Sequence, residues 1–144
     1  MAENVTRSIR TGRCMCGAVR YRVDGPLRPI VVCHCEQCRR MTGHFMAATA
    51  AKRGNFELEG ADSLVWYSAS NAARRGFCKH CGSTLFWDGV DRDYISIAAG
   101  TLDNSDGLKI VCHIFVAEKG GYYDIEDGTT AISDGQFIVD FPAS

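Results

Sequence analysis

The chain has 144 residues, the length of one ordinary domain, with 46% hydrophobic and 23% charged residues, a globular balance that excludes a disordered or fibrous chain. Sixteen Lys and Arg stand against seventeen Asp and Glu, and the resulting net charge of −1 gives no electrostatic footprint for nucleic acid or an anionic membrane. No apolar run approaches the roughly 20 residues of a membrane span, and the opening MAENVTRSIRTGR lacks the apolar stretch of a secretory signal, so a cytoplasmic protein is expected.

Along the chain, Ala18 to Val23 alternates apolar and basic residues, the pattern of a half-buried strand, and Gly25-Pro26 ends it. Pro29 to Val32 reads as a short buried strand that runs directly into a cysteine cluster. Glu36 to Met41 suits one helical turn, and little else shows a 3.6-residue period. Phe45 to Ala51 and Phe56 to Leu58 read as strands broken at Arg53-Gly54-Asn55. Leu64 to Tyr67 and Tyr94 to Ala98 have the β-branched and aromatic content of sheet, and Ile110 to Val116 is a further apolar strand. Many short strands separated by turn signals predict one all-β domain over residues 1–144, with little helix.

The eight cysteines set the chemistry. Cys14-Met15-Cys16, Cys33-His34-Cys35-Glu36-Gln37-Cys38 and Cys78-Lys79-His80-Cys81 gather seven of them into tight clusters. A disulfide framework spreads its cysteines to close long loops, and a reducing cytosol keeps thiols free. Metal sites instead take two thiolates from one turn. Soft thiolates favour zinc, which closed structural sites hold tetrahedrally. Gly17 and Gly82 follow the first and last clusters, where a metal-binding turn needs the backbone to fold back. The Asn4-Val5-Thr6 glycosylation triplet is a chance match in a chain that is not exported.

Seven thiols divide as four plus three. Cys33, Cys35 and Cys38 can hold one ion as a compact unit, whereas the pairs Cys14/Cys16 and Cys78/Cys81 must join to complete another. Closing that loop of about 60 residues costs only about 1.2 kcal/mol more than closing one of about 15. A structural zinc contributes about 10–16 kcal/mol, so the four-thiolate site reads as a staple. The three-thiolate site leaves its fourth position to water or substrate, as catalytic zinc does, unless His34, His44, Cys112 or another residue fills it. His34 lies between two ligands and is expected to point away from their ion.

The run Cys14-x-Cys16-Gly17, Cys33-His34-Cys35-x-x-Cys38-Arg39, Gly76-Phe77-Cys78-x-x-Cys81-Gly82 and His113-Ile114-Phe115-Val116 resembles the glutathione-dependent formaldehyde-activating enzyme family, which shares a domain with centromere protein V. The resemblance spans roughly Arg13 to Asp127. It implies an Mss4-like fold of several coiled antiparallel sheets with zinc-binding hairpin tips. It also implies structural zinc on Cys14, Cys16, Cys78 and Cys81 and a labile, catalytic zinc on Cys33, Cys35 and Cys38. The implied reaction is that of a carbon–sulfur lyase, joining or cleaving the adduct of formaldehyde with glutathione or another small thiol. Arg39 or Arg40 would offset the thiolate charge and orient the thiol. Where the family commonly carries Ala-Pro-Trp, this chain has Gly120-Gly121-Tyr122, on an expected substrate wall.

Other candidates have plainer readings. Cys112 and His113 would face opposite sides of a strand, so Cys112 reads as buried and structural. His80 caps a knuckle at the surface. His44, shortly after the three-cysteine cluster, is the best candidate for a general acid. Asp103-Asn104-Ser105-Asp106-Gly107 lacks the spacing of a calcium loop and reads as a turn. Arg39-Arg40 and Arg74-Arg75 are too few for a nucleic-acid surface, and Trp66 and Trp87 read as core. A zinc-stabilised binding module without catalysis, recognising a protein or nucleic acid, is the alternative function, and a fourth protein ligand at the Cys33 cluster would favour it.

Overall fold

The computed structural model describes residues 9–143, so the Asn4-Val5-Thr6 triplet and the first residues of the opening segment lie outside the described residues. Strands β1 (Ile9–Arg13) and β2 (Arg20–Asp24) form an antiparallel hairpin whose tip carries Cys14 and Cys16. Tyr21 and Val23 of β2 point inward while Arg20 and Arg22 face solvent, as the alternation predicts. Strand β3 (Ile30–Cys33) leads into helix α1 (Glu36–Thr42), which Gly43 ends in a left-handed conformation. Strands β4 (Met46–Lys52), β5 (Phe56–Glu59) and β6 (Leu64–Tyr67) follow, then a hairpin of β7 (Ala73–Cys78) and β8 (Thr84–Gly89) with the second Cys-x-x-Cys at its tip. Strands β9 (Tyr94–Ala98), β10 (Ile110–Ile114) and β11 (Thr130–Ala131) complete the set.

Strand β5 pairs with β2 to close a three-stranded antiparallel sheet, and the other strands build an eight-stranded sheet in the order β11-β10-β3-β4-β9-β8-β7-β6. The domain is therefore mainly β with one helix among the described residues. Most pairs are antiparallel, as expected, but β10 runs parallel to both β3 and β11. The chain reaches β10 by crossing over from β9 rather than by a hairpin, and a crossover delivers a parallel strand. Successive residues Ile30, Val31 and Val32 of β3 are all buried, so both faces of the strand are covered, which explains its uninterrupted apolar run.

The main core lies between the sheets. Val19, Tyr21, Val23, Leu64, Leu85, Phe86 and Ile97 are buried there, together with Cys14 and Cys78. A smaller cluster joins Val31, Cys112 and Ile114 to Phe115, Phe137 and Val139 from the C-terminal segment. Of the strands absent from the sequence reading, β1 is largely polar, and β8 is masked by a register shift at Gly76/Phe77 that buries adjacent Leu85 and Phe86.

Asp88 of β8 accepts from Arg53 Nη2 at 2.5 Å and from Arg74 Nε at 2.9 Å, while the Arg74 guanidinium stacks 3.9 Å over Trp66. Burial pushes the Asp88 carboxyl up, but hydrogen bonds and charge from the two arginines outweigh it and hold it below the ordinary carboxylate range. Such a depressed group stabilises the fold fully above the unfolded value near 4 and loses its contribution as pH falls through the folded value. Asp88→Asn should therefore lower stability by about 1–2 kcal/mol at pH 7, with a smaller gap at pH 3 than at pH 7. Thermal unfolding of both proteins at the two pH values checks this; an equal gap at both would contradict it.

Candidate metal centres and cavity

The hairpin tips of β1–β2 and β7–β8 meet, bringing Cys14, Cys16, Cys78 and Cys81 together with all four sulfurs within 4.8 Å of one another. Cys14–Cys16 and Cys16–Cys78 sulfur separations are both 3.7 Å. Sulfurs placed tetrahedrally at about 2.3 Å from a zinc ion lie about 3.8 Å apart, so the donor set fits zinc closely. Disulfide bonds would need about 2.05 Å, and all eight cysteines are free. Each knuckle turns on a glycine, Gly17 at φ 82° and Gly82 at φ 75°, where a side chain would be strained. That turn aims backbone N–H groups at sulfur, with Val19 N–H donating to Cys14 and His80 N–H to Cys78, both at 3.3 Å. Cys14 and Cys78 are buried core residues, so this centre ties the two sheets together.

Cys33, Cys35 and Cys38 form the second centre, again with sulfurs within 4.8 Å. Cys33 ends β3, Cys35 caps α1, and Cys38 lies on the helix's buried side. The Cys38 N–H donates to the Cys35 sulfur at 3.4 Å, the ordinary bond of an N-cap side chain. Without a cation the three thiols cannot all ionise. Hydrogen bonds from Cys33 and Cys38 pull Cys35 far down, and the same sharing pushes Cys33 far up. A divalent soft cation relieves that conflict, and three thiolates in one compact cluster suit zinc.

Among the described residues no fourth Cys, His, Asp or Glu joins this cluster. His34 is fully buried and faces away: its Nδ1 is 2.5 Å from the Tyr123 hydroxyl and its Nε2 is 2.8 Å from His113 Nδ1. Burial, then the neighbouring His113, His44 and Lys119, pushes His34 down to about 4. The Nδ1 of His44 is engaged by the Tyr122 hydroxyl at 2.5 Å. Cys112 is buried in the small cluster beside β3, with its sulfur 3.8 Å from the His113 carbonyl.

A cavity of about 520 Å³ opens on the three sulfurs. Its walls include Cys33, Cys35, Cys38, Arg28, Arg75 and Trp87, so Trp87 is a wall residue rather than core. Arg75 is 7% exposed and donates to the Cys38 sulfur at 3.5 Å and to Gln37 Oε1 at 3.0 Å. Arg28, 3% exposed, donates to the carbonyls of Ala48 and Pro29 and lies over the rings of Tyr94 and Phe137. Among the described residues neither guanidinium has a carboxylate partner, which leaves the cavity with a positive wall.

Arg39 and Arg40 were the arginines expected here. Arg39 Nε donates to the Glu118 carbonyl at 3.3 Å, and Arg40 pairs with Glu36 at 2.9 Å on the exposed helix face. Sequence reasoning passed over Arg75, although alternate residues of a strand face opposite sides and one of Arg74-Arg75 had to turn inward. The C-terminal segment was missed as well. Phe115 adopts the left-handed conformation at φ 55°, unusual for a bulky residue, and donates its N–H to the Asp134 carbonyl. The segment can lie that close only because residue 135 is glycine: a Cβ there would sit 2.5 Å from the Phe115 ring.

The profile of the family described as glutathione-dependent formaldehyde-activating enzyme matches residues 9–118. An uncharacterized lyase of Schizosaccharomyces pombe is 25% identical over 121 residues, covering 83% of this chain and 87% of that protein. A Halomonas elongata protein provisionally named a glutathione-dependent formaldehyde-activating enzyme is 31% identical over 83 residues, covering 52% of this chain and 53% of its own length. A crystal structure of a Rhodobacter sphaeroides protein superposes with a TM-score of 0.56 at 25% identity, covering 67% of this chain and 91% of that one.

Proposed function

Because the chain belongs to the glutathione-dependent formaldehyde-activating enzyme family, we propose that it is a zinc-dependent enzyme of the carbon–sulfur lyase type. It would join or cleave the adduct between glutathione, or another small anionic thiol, and formaldehyde or a similar electrophile. The observation that carries this reading is the cluster of three sulfurs, with no fourth Cys, His, Asp or Glu donor among the described residues, facing a cavity with two buried arginines in its wall.

Cys33, Cys35 and Cys38 would hold the catalytic ion, and Cys14, Cys16, Cys78 and Cys81 the structural one. Zinc at the three-thiolate site supplies a Lewis-acidic position that favours the ionised form of an incoming thiol, whose free pKa is about 8.5. In synthesis the thiolate sulfur adds to the formaldehyde carbon, a carbon–sulfur bond forms, and the former carbonyl oxygen takes up a proton. Arg75 holds charge on the Cys38 sulfur and offsets part of the anionic cluster. Arg28 and Arg75 attract a thiol that carries carboxylates. Arg39, whose Nε donates to the Glu118 carbonyl, is not among the residues lining the cavity, so holding such a carboxylate falls to Arg28 and Arg75.

Free, closely spaced thiols suit a reducing compartment such as the cytoplasm. Among the described residues no helix is long and apolar enough to cross a membrane. The binding-module alternative needs a closed fourth position and no adjoining cavity, and the cavity beside the three sulfurs weighs against it. Mixing the zinc-loaded protein with glutathione and formaldehyde should accelerate adduct exchange measured by NMR. A rate equal to the protein-free rate would remove the proposed reaction.

A further inference from the structure

A continuous hydrogen-bond chain runs behind the three-thiolate cluster. Asp127 Oδ2 is 2.8 Å from His113 Nε2, His113 Nδ1 is 2.8 Å from His34 Nε2, and His34 Nδ1 is 2.5 Å from the Tyr123 hydroxyl. The Asp127 end is itself braced, since its Oδ1 accepts from the backbone N–H and hydroxyl of Thr129 at 3.0 and 2.7 Å. His113 and His34 are 5% and 0% exposed, so water cannot replace these bonds cheaply. The backbone is pinned too, with the His34 N–H donating to the Ile114 carbonyl at 3.0 Å.

The polarity of the chain follows from its end. A carboxylate only accepts, so His113 carries its proton on Nε2. With both imidazoles neutral, His113 Nδ1 accepts from His34 Nε2–H, and His34 Nδ1 accepts from the Tyr123 O–H. Every ring nitrogen then has one partner and one role. Tyr123 and Asp127 both lie beyond the family-matched residues 9–118, so the C-terminal segment of this chain supplies both ends.

His34 stands between Cys33 and Cys35 in the chain, and both its ring nitrogens are taken up by Tyr123 and His113 rather than by the cluster. Holding that ring fixes the bend that points Cys33 and Cys35 at one centre. We propose that Asp127, His113 and Tyr123 are positioning residues that act through His34 to set the bite of the Cys33–Cys35 pair, and so the retention of the ion at the open site. The inference rests on the reading that this cluster binds zinc. Partners one step behind metal ligands typically govern ten- to hundredfold in affinity, and these act one or two steps further back.

The test is zinc transfer from the intact, fully loaded chain to a chromophoric chelator, which resolves a fast ion and a slow ion. Tyr123→Phe and Asp127→Ala should each speed the fast phase about tenfold while leaving the slow phase of the four-cysteine site unchanged. Asp127→Asn, whose side-chain oxygen can still accept from His113, should restore most of the wild-type rate. In ¹⁵N NMR of the imidazoles, the wild type should show Nε2–H on both rings, and Asp127→Ala should release His113 from that single tautomer. Two ions leaving the variants at wild-type rates would overturn the positioning chain alone. A wild-type protein that takes up a single ion would overturn it together with the reading of the open site.

Discussion

Cys78→Ser is expected to leave the chain unfolded at room temperature. Cys78 is fully buried, its sulfur sits 3.7 Å from that of Cys16, and it belongs to the main core between the sheets. A serine hydroxyl is a poor zinc ligand, so the substitution removes the ion as well as a sulfur. Structural zinc is worth about 10–16 kcal/mol, against a net domain stability of about 5–15 kcal/mol, so little is left to hold the fold. Circular dichroism, with metal content by mass spectrometry, provides the check. A folded Cys78→Ser protein with wild-type melting would mean that the hairpin tips do not depend on metal. Cys112→Ala is the matching control: it removes an equally buried sulfur outside both clusters and should keep the full zinc content.

Arg75→Met should keep the fold but impair the open site by ten- to hundredfold. The methionine stem can fill the space of the buried arginine stem, so packing is largely conserved. What disappears is the donor 3.5 Å from the Cys38 sulfur and the positive charge beside three thiolates. Without that charge the cluster holds its ion less tightly and attracts an anionic thiol less strongly. Arg75→Lys should rescue only part of the loss, because the guanidinium reaches Cys38 and Gln37 with separate nitrogens. Adduct exchange rates and zinc release measured on the same samples would separate the two effects. Wild-type values for both would show that Arg75 is only a wall residue.

The two cysteine clusters were legible in the sequence because their geometry is local. Two sulfurs from one turn must lie a few ångströms apart whatever the rest of the chain does, so Cys-x-x-Cys predicts its own contact. The glycines after the knuckles are equally local, since each answers a left-handed φ. Joining the two outer pairs needed only the argument that neither pair suffices alone.

What stayed hidden depends on distant chain segments. Arg75 reaches Cys38 across 37 positions, from a strand four places away from β3 in the sheet. Arg39 and Arg40 were chosen for adjacency in sequence, but a helix turns successive residues by about 100°, so neighbours of an inward-facing Cys38 face elsewhere. Sequence adjacency sets His113 beside Cys112 as a possible pair, yet its ring meets Asp127 and also His34, which lies 79 positions away just past the end of β3, the parallel neighbour of β10. Parallel pairing leaves no hairpin signal, and β11 has only two residues with which to announce itself.

The proposed chemistry needs one coordination position open to a thiol at the Cys33–Cys35–Cys38 centre. Cobalt(II) in place of zinc gives both thiolate centres visible ligand-field bands, and added glutathione should shift the bands of the Cys33–Cys35–Cys38 centre while leaving those of the four-cysteine centre in place. Bands from both centres that stay unchanged under excess glutathione would mean that no position is open to a thiol, and the proposed chemistry would have no place to occur.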